Sequence, residues 1–210
     1  MSKNTRNRIL LTALAALLLV TLTIGGTVAW LQDKTEAVVN VFTGSDVDID
    51  LDETTGNSYK MVPSVEITKN PKVTVNVGSE ACYVFVKIQE TGSVTVDDET
   101  YTFDDFLTYA IADGWTTDVE GSKTDTANDT YVIGKAVDAT TAEGATAVEL
   151  PILAGNKVTT KSDVAKKMMD ALTTENQPKL TFTAYAIQQA NGNGTFSMAD
   201  AWTQLNTPAN

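Results

Sequence analysis

The sequence predicts an all-β dominated protein, a β-sandwich or jelly-roll-like domain with short helical insertions. Three observations carry this. Residues 46–52 alternate strictly, with Val47, Ile49 and Leu51 on one side and Asp46, Asp48, Asp50 and Asp52 on the other. Residues 72–77 repeat the pattern, setting Val73, Val75 and Val77 against Lys72, Thr74 and Asn76. A period of two places successive side chains on opposite faces of a strand, so each run has one buried face. Turn signals at Gly44-Ser45, Asn70-Pro71 and Gly78-Ser79 separate these short runs, the spacing expected of a sandwich or jelly roll.

The remaining elements follow in order. Pro63 makes residues 61–67 an edge or a turn entry. Residues 83–88 are apolar on both faces until Lys87, which marks a central strand. Residues 102–113 read as a helix: Thr102 caps it, Asp104 and Asp105 suit its first turn, and Phe103, Phe106, Leu107, Ala110 and Ile111 form an apolar stripe that Gly114 ends. Residues 116–130, rich in Thr, Asp and Gly, suggest a hairpin or loop, 131–133 a short strand, and 135–148 irregular chain. A second helix is expected over 161–173, capped by Ser162 or Asp163, with Val164, Met168 and Leu172 inward. Residues 180–187 form a strand with Leu180, Phe182, Ala184 and Ala186 on one side. Gly192 and Gly194 mark a loop, and Ser197 caps a last helix over 197–205 that packs Ala201, Trp202 and Leu205. The aromatics Tyr83, Phe85, Phe182 and Tyr185 fall at strand spacing and are expected in the core.

The N-terminus sets the compartment. Lys3, Arg6 and Arg8 precede an uncharged apolar run over residues 9–24, then Gly25-Gly26 and Thr27-Val28-Ala29. A basic start, an apolar centre and small residues at Thr27 and Ala29 are the order of a secretory signal peptide. Residues 1–29 are therefore expected to be a signal peptide, with the mature chain starting at Trp30. The alternative is a retained anchor, since residues 9–31 are just long enough to span a bilayer. Residues 30–44 form a separate N-terminal segment and 45–210 the jelly-roll-like domain. Cleavage removes three basic residues and no acid, taking the formal charge from −12 to −15. Such a surface repels phosphates and anionic lipid, so neither nucleic acid nor, after cleavage, membrane is expected as a partner.

Composition prunes chemistry further. The chain has no histidine, which excludes Ser-His-Asp and Cys-His arrangements and the H-E-x-x-H zinc motif. Cys82 is the single cysteine, so no intramolecular disulfide can form. Its apolar neighbours suggest a buried small hydrophobe, with an intermolecular disulfide or reactive thiol as the alternative. Asp46, Asp48, Asp50, Asp52 and Glu53 invite a calcium reading. On one strand face, however, they stand roughly 7 Å apart and diverge, whereas calcium needs converging oxygens. Asp97-Asp98-Glu99 with Asp104-Asp105 could in principle supply an acid and a base, but acid clusters in an acidic chain read as surface. The sequons at Asn128 and Asn193 read as loops. No catalytic residue, metal site or cofactor is assigned, and the protein is not expected to be an enzyme.

Residues 25–51, GGTVAWLQDKTEAVVNVFTGSDVDIDL, resemble the start of the TasA/camelysin group of Gram-positive secreted proteins. The resemblance rests on Gly25-Gly26, Thr27-Val28-Ala29, Trp30-Leu31-Gln32-Asp33, Phe42-Thr43-Gly44 and the alternating run 47–51, and more weakly on residues 69–71, 81–87 and 180–186. It implies a jelly-roll-like domain, processing by a dedicated signal peptidase of the SipW type, and secretion to the extracellular matrix or cell surface of a Gram-positive bacterium. It also implies biofilm-matrix fibres: self-assembly in which the freed N-terminal segment of one subunit adds a strand to the next, with room for an accessory matrix protein. The camelysin branch has been described as metalloprotease, from which this histidine-free chain departs. In an extended segment Ala37, Val39 and Val41 point to one face and Val38 and Phe42 to the other, behind Trp30 and Leu31. The alternative for Val38–Phe42 is the first strand of the chain's own domain. The runner-up function is a monomeric cell-surface adhesion or binding module.

Overall fold

The computed structural model of the chain describes residues 46–56, 58–191 and 194–206, all within one compact unit, Gly44–Asn210. The expected signal peptide and the whole of segment 30–44, including Thr27, Ala29, Trp30, Leu31, Ala37, Val38, Val39, Val41 and Phe42, lie outside the described residues.

The chain is dominated by antiparallel strands, as the alternating patterns predict. One layer has the order β12 (Lys179–Gln188), β4 (Cys82–Thr91), β9 (Thr130–Val137), β8 (Thr116–Glu120). The opposing layer is built from β1 (Ile49–Asp52), β2 (Glu66–Thr68), β3 (Lys72–Val75), β7 (Leu107–Thr108), β10 (Val148–Pro151) and β11 (Lys157–Thr160). β1, β3 and β10 form one ladder, and β2, β11 and β7 another. The two ladders are continuous. Ile152 N–H donates to Pro71 O at 3.0 Å and Lys69 N–H to Asn156 O at 2.8 Å, carrying the pairing across the 3-10 turn at Ala154–Asn156. β2/β3 and β10/β11 are thus two long bent strands.

Numbering the long strands in chain order as β1, β2/β3, β4, β7, β8, β9, β10/β11 and β12 gives 1-2-7-4 facing 8-3-6-5. The trios 2-7-4 and 8-3-6 are those of an eight-stranded jelly roll. The edge strands 1 and 5 are exchanged between the layers.

β4 is the strand that apolarity on both faces predicted to be central, and it is. Val84, Val86 and Ile88 point into the sandwich with Val73, Val75, Ile133, Leu150 and Val158. Leu180, Phe182, Ala184 and Ala186 of β12 join that interior, as their spacing predicts. Phe85 turns the other way, onto a smaller core with Val132, Ala201 and Trp202. That outer core is capped by the C-terminal helix α3 (Met198–Asn206), whose start is fixed by Asp200 N–H donating to Ser197 Oγ at 3.2 Å. Gly134 makes the docking possible: a Cβ there would lie 2.7 Å from Met198 Sδ and 3.1 Å from the Phe85 ring. Trp202 meets Phe85 at 5.2 Å and Tyr185 at 5.6 Å between ring centroids.

Several expectations need correction. Helix α1 covers only Phe103–Phe106 of the expected 102–113. Leu107 and Thr108 are instead paired with Thr160 and Thr159, and Ala112 N–H donates to Ile152 O at 2.9 Å. Strand pairing satisfies this backbone against a neighbour while Phe103, Phe106 and Leu107 stay buried, so tertiary context overrides local helical preference. Gly114 therefore serves as a turn before β8 (φ 83°). The second helix, α2, shrinks to Lys166–Asp170, although Val164 and Met168 are buried as expected. Leu51 and Val77 are exposed: β1 is an edge strand and Val77 lies past the end of β3. Tyr185 is also exposed, flanking Trp202 rather than filling the sandwich. The hairpin of β5 (Ser93–Val96) and β6 (Glu99–Thr102) was not anticipated, nor were β10 and β11.

Truncating the double-sided strand tests this architecture. Phe85→Ala is expected to cost about 3–5 kcal/mol, lowering the urea midpoint without changing the slope. Leu51→Ala, at an exposed edge, is expected to change stability by no more than about 0.5 kcal/mol in the same titration.

Candidate functional site

An unpaired sheet edge presents a row of backbone donors and acceptors to any extended segment, and proteins normally blunt such edges. Three edges here are blunted. β1 is four residues long, with Asp48 and Asp50 facing outward and both accepting hydrogen bonds from Asn76 Nδ2 (3.0 and 2.9 Å). β7 has two residues. β8 is broken by a register shift between Thr116 and Glu120, where Asp118 adopts φ 66°.

The fourth edge is different. β12 runs ten residues in unbroken register with β4, from Lys179↔Thr91 to Gln188↔Cys82. It contains no proline and one charge, Lys179. Among the described residues no strand is hydrogen-bonded to its other side, although β1 lies close beside it. Beside its first half lies a cleft of about 330 Å³, lined by Met61, Ile67, Leu107, Val158 and Leu180 with polar residues at its rim. The cleft opens between the two layers, so a segment laid along β12 would have apolar side-chain pockets within reach.

A second feature lies at one end of the sandwich interior. Glu90 continues the inward row of Val84, Val86 and Ile88, and its side chain is fully buried. Lys123, from the loop after β8, donates to Glu90 Oε1 at 2.6 Å and to Asp104 Oδ1 of α1 at 2.7 Å. Tyr109 O–H donates to Glu90 Oε1 at 2.5 Å and lies 2.8 Å from the Tyr131 hydroxyl. The ammonium sits 4.8 Å from the Tyr109 ring centroid and 5.8 Å from that of Phe103. Asp129 completes the group; its carboxylate accepts from Thr124 N–H and Oγ1. Oxygens of Glu90, Asp104 and Asp129 lie within 4.8 Å of one another. Glu90 Oε2 and Asp104 Oδ2 are buried without a hydrogen-bond partner.

Burial pushes the Glu90 carboxyl above its ordinary range against the opposing pull of Lys123 and Tyr109. Burial also pushes Tyr131 up to about 12. At Lys123 burial favours the neutral amine, but the hydrogen bonds it donates to Asp104 and Glu90, with their charge, outweigh it and the net shift is upward.

Of the acids singled out in the sequence, the structure separates rather than gathers most. Asp97 and Asp98 form the tip of the β5–β6 hairpin, where Asp97 pairs with Lys167 at 2.9 Å. Asp105 lies in the first turn of α1, as expected, and accepts from Thr102 N–H at 2.7 Å. Glu53 pairs with Lys69 at 2.6 Å. Asp104 alone departs from the surface reading, with 3 % exposure. Asn128 lies in a loop, its Oδ1 accepting from Phe103 N–H at 3.0 Å. Cys82 is fully buried, as its apolar neighbours predict, and burial raises its thiol to about 11.

Sequence reasoning missed Glu90, Tyr109 and Lys123. Glu90 was legible as a carboxylate at an inward position of an apolar alternation. Lys123 was not, because only the fold brings its loop to α1. In comparisons with known proteins, no family model, curated protein or solved structure matches the chain.

Two measurements probe these sites. Lys123→Ala strands two buried carboxylates and is expected to cost about 3–5 kcal/mol by urea unfolding. Lys157→Ala, which breaks an exposed pair with Glu66, is expected to change stability by at most about 1 kcal/mol. For Cys82, a colorimetric thiol reagent near pH 8 is expected to react only after denaturant is added. Prompt reaction of the native protein would show that the β4 end opens readily.

Proposed function

We propose that this protein is a secreted structural subunit of extracellular, biofilm-matrix fibres on a Gram-positive cell surface. It assembles head to tail, residues 30–42 of one copy adding a strand to the sheet of the next. The observation that supports the proposal is the β12 edge over residues 179–187, which among the described residues is longer and more regular than the other three edges of the two layers. Main-chain hydrogen bonds along such an edge give affinity, and pockets for alternate side chains give specificity. The cleft against β12 offers those pockets, and the run Val38, Val39, Val41, Phe42 offers apolar side chains to both faces. One contact repeated head to tail is heterologous and does not close, so it yields a filament.

The resemblance of residues 25–51 to the TasA/camelysin group supports the same reading. So does an acidic, histidine-free composition, which suits a structural surface protein better than a hydrolase. Cleavage after Ala29 by the dedicated signal peptidase would act as the switch, freeing Trp30 and the strand behind it. The cleft also favours a second reading, a monomeric surface adhesion or binding module.

Electron microscopy, size exclusion and N-terminal sequencing of one secreted sample separate these. Fibres from a chain beginning at Trp30 are expected. Deleting residues 30–42, or placing a charge on the edge with Thr181→Lys, is expected to leave folded monomers without fibres. Unchanged fibres in the deletion variant would overturn strand addition, and a wild-type protein that stays monomeric at high concentration selects the binding module.

A further inference from the structure

We propose that Lys123 and Asp104 become joined by an intramolecular amide bond, formed by the folded protein itself with Glu90 as the proton carrier. This is independent of the fibre reading.

Position comes first. The Lys123 amine touches the Asp104 carboxyl at 2.7 Å and Glu90 at 2.6 Å, held by three separate segments of the fold. Contact of this kind turns a reaction that is negligible between free side chains into an intramolecular one, where effective concentrations are very large. Surroundings come second. Asp104 and Glu90 are 3 % and 1 % exposed, with the Phe103 and Tyr109 rings flanking the ammonium. Water stabilises an ammonium and a carboxylate far better than such a site does, so conversion to a neutral amide is favoured there.

Glu90 and Asp104 each have one buried carboxylate oxygen without a partner, and the partners of the other oxygen assign the roles. Glu90 Oε1 is held by Lys123 and Tyr109 together, which fixes that carboxylate beside the amine. Among the described residues, the Asp104 carboxylate has Lys123 as its one hydrogen-bond partner, and its Oδ2 is buried with none. Nothing else in the site stabilises Asp104 as an anion, so Asp104 is the electrophile and Glu90 the acid–base group. The bond removes one buried ammonium and one buried carboxylate together, and so leaves the net charge of the cluster unchanged while ending the burial of that ion pair. Asp129 takes no part in the step; its carboxylate accepts from the Thr124 N–H and hydroxyl.

The step balances without any co-reactant. The Lys123 ammonium passes a proton to Glu90, and the free amine attacks Asp104 Cγ, forming the N–C bond. A second proton leaves the nitrogen by the same route. Both are delivered to one Asp104 oxygen as its bond to Cγ breaks, and that oxygen departs as water. Ammonium plus carboxylate become amide plus water. Glu90 ends as it began, and the raised affinity of its carboxyl for a proton suits the shuttle.

Mass spectrometry of the intact secreted protein decides the matter. The mass is expected to be lower, by one water, than that calculated from the N-terminus sequenced on the same sample. Proteolysis is expected to release a branched peptide joining Lys123 to Asp104. Lys123→Arg and Asp104→Ala should restore the full mass. Glu90→Gln, shown folded by circular dichroism, should leave most molecules at full mass.

A wild-type protein at its full sequence mass overturns the proposal, including where the same residues prove to bind calcium instead. A branch at Glu90 in place of Asp104 overturns the assignment of roles. A folded Glu90→Gln that is still fully cross-linked overturns the shuttle. Should the variants fail to fold, the wild-type mass remains decisive.

Discussion

The structure depends on a single strand buried on both sides. β4 pairs along its length with β12 and β9, so its backbone is satisfied before any side chain is considered. Its even-numbered residues then build the sandwich interior, and its odd-numbered Tyr83 and Phe85 build the core beneath α3. A strand with only one buried face would leave either the opposing layer or the C-terminal helix without a surface to dock on. The notch at Gly134 on the neighbouring β9 completes this arrangement by admitting the helix close to the sheet.

The same inward row explains why a charged cluster can exist inside an otherwise apolar sandwich. Val84, Val86 and Ile88 lead directly to Glu90, at the end of the strand where three loops and short elements converge. An isolated buried carboxylate is costly, and here it is offset by an ammonium and a phenol drawn from distant segments. The cluster ties α1, the loop after β8 and the start of β9 to the central strand. These are the parts of the sandwich that regular strand pairing holds least.

What could be read from the sequence divides along physical lines. Patterns that depend on one strand and its own two faces were legible: the alternation of 72–75, the double-sided apolarity of β4, the inward Leu180-Phe182-Ala184-Ala186 row and the Ser197 cap. Elements set by partners far along the chain were not. Leu107 follows a helical stripe yet pairs with Thr160, fifty-three residues later, and no local signal announces that. The same holds for β10 and β11, whose register is dictated by β2 and β3. The β5–β6 hairpin was readable in retrospect, since Asp97-Asp98 sits between alternating Val94, Val96 and Tyr101, and both aspartates adopt positive φ. Of the site residues, the edge character of β12 could not be inferred, because whether a strand lies at a border is a property of the whole sheet.

On the proposed assembly, the unequal treatment of the four edges of the two layers also sets a valence. In that assembly, a subunit with one receptive border among its described strands and one donated segment would have two points of attachment, facing different neighbours. Polymers of such units are unbranched threads, and side-to-side bundling must then rely on surfaces other than strand pairing. With residues 1–29 removed as proposed, a net charge of −15 would oppose that lateral approach at low ionic strength, less so as salt screens it. On the proposed assembly, thread thickness would be a property of the surrounding medium as much as of the protein.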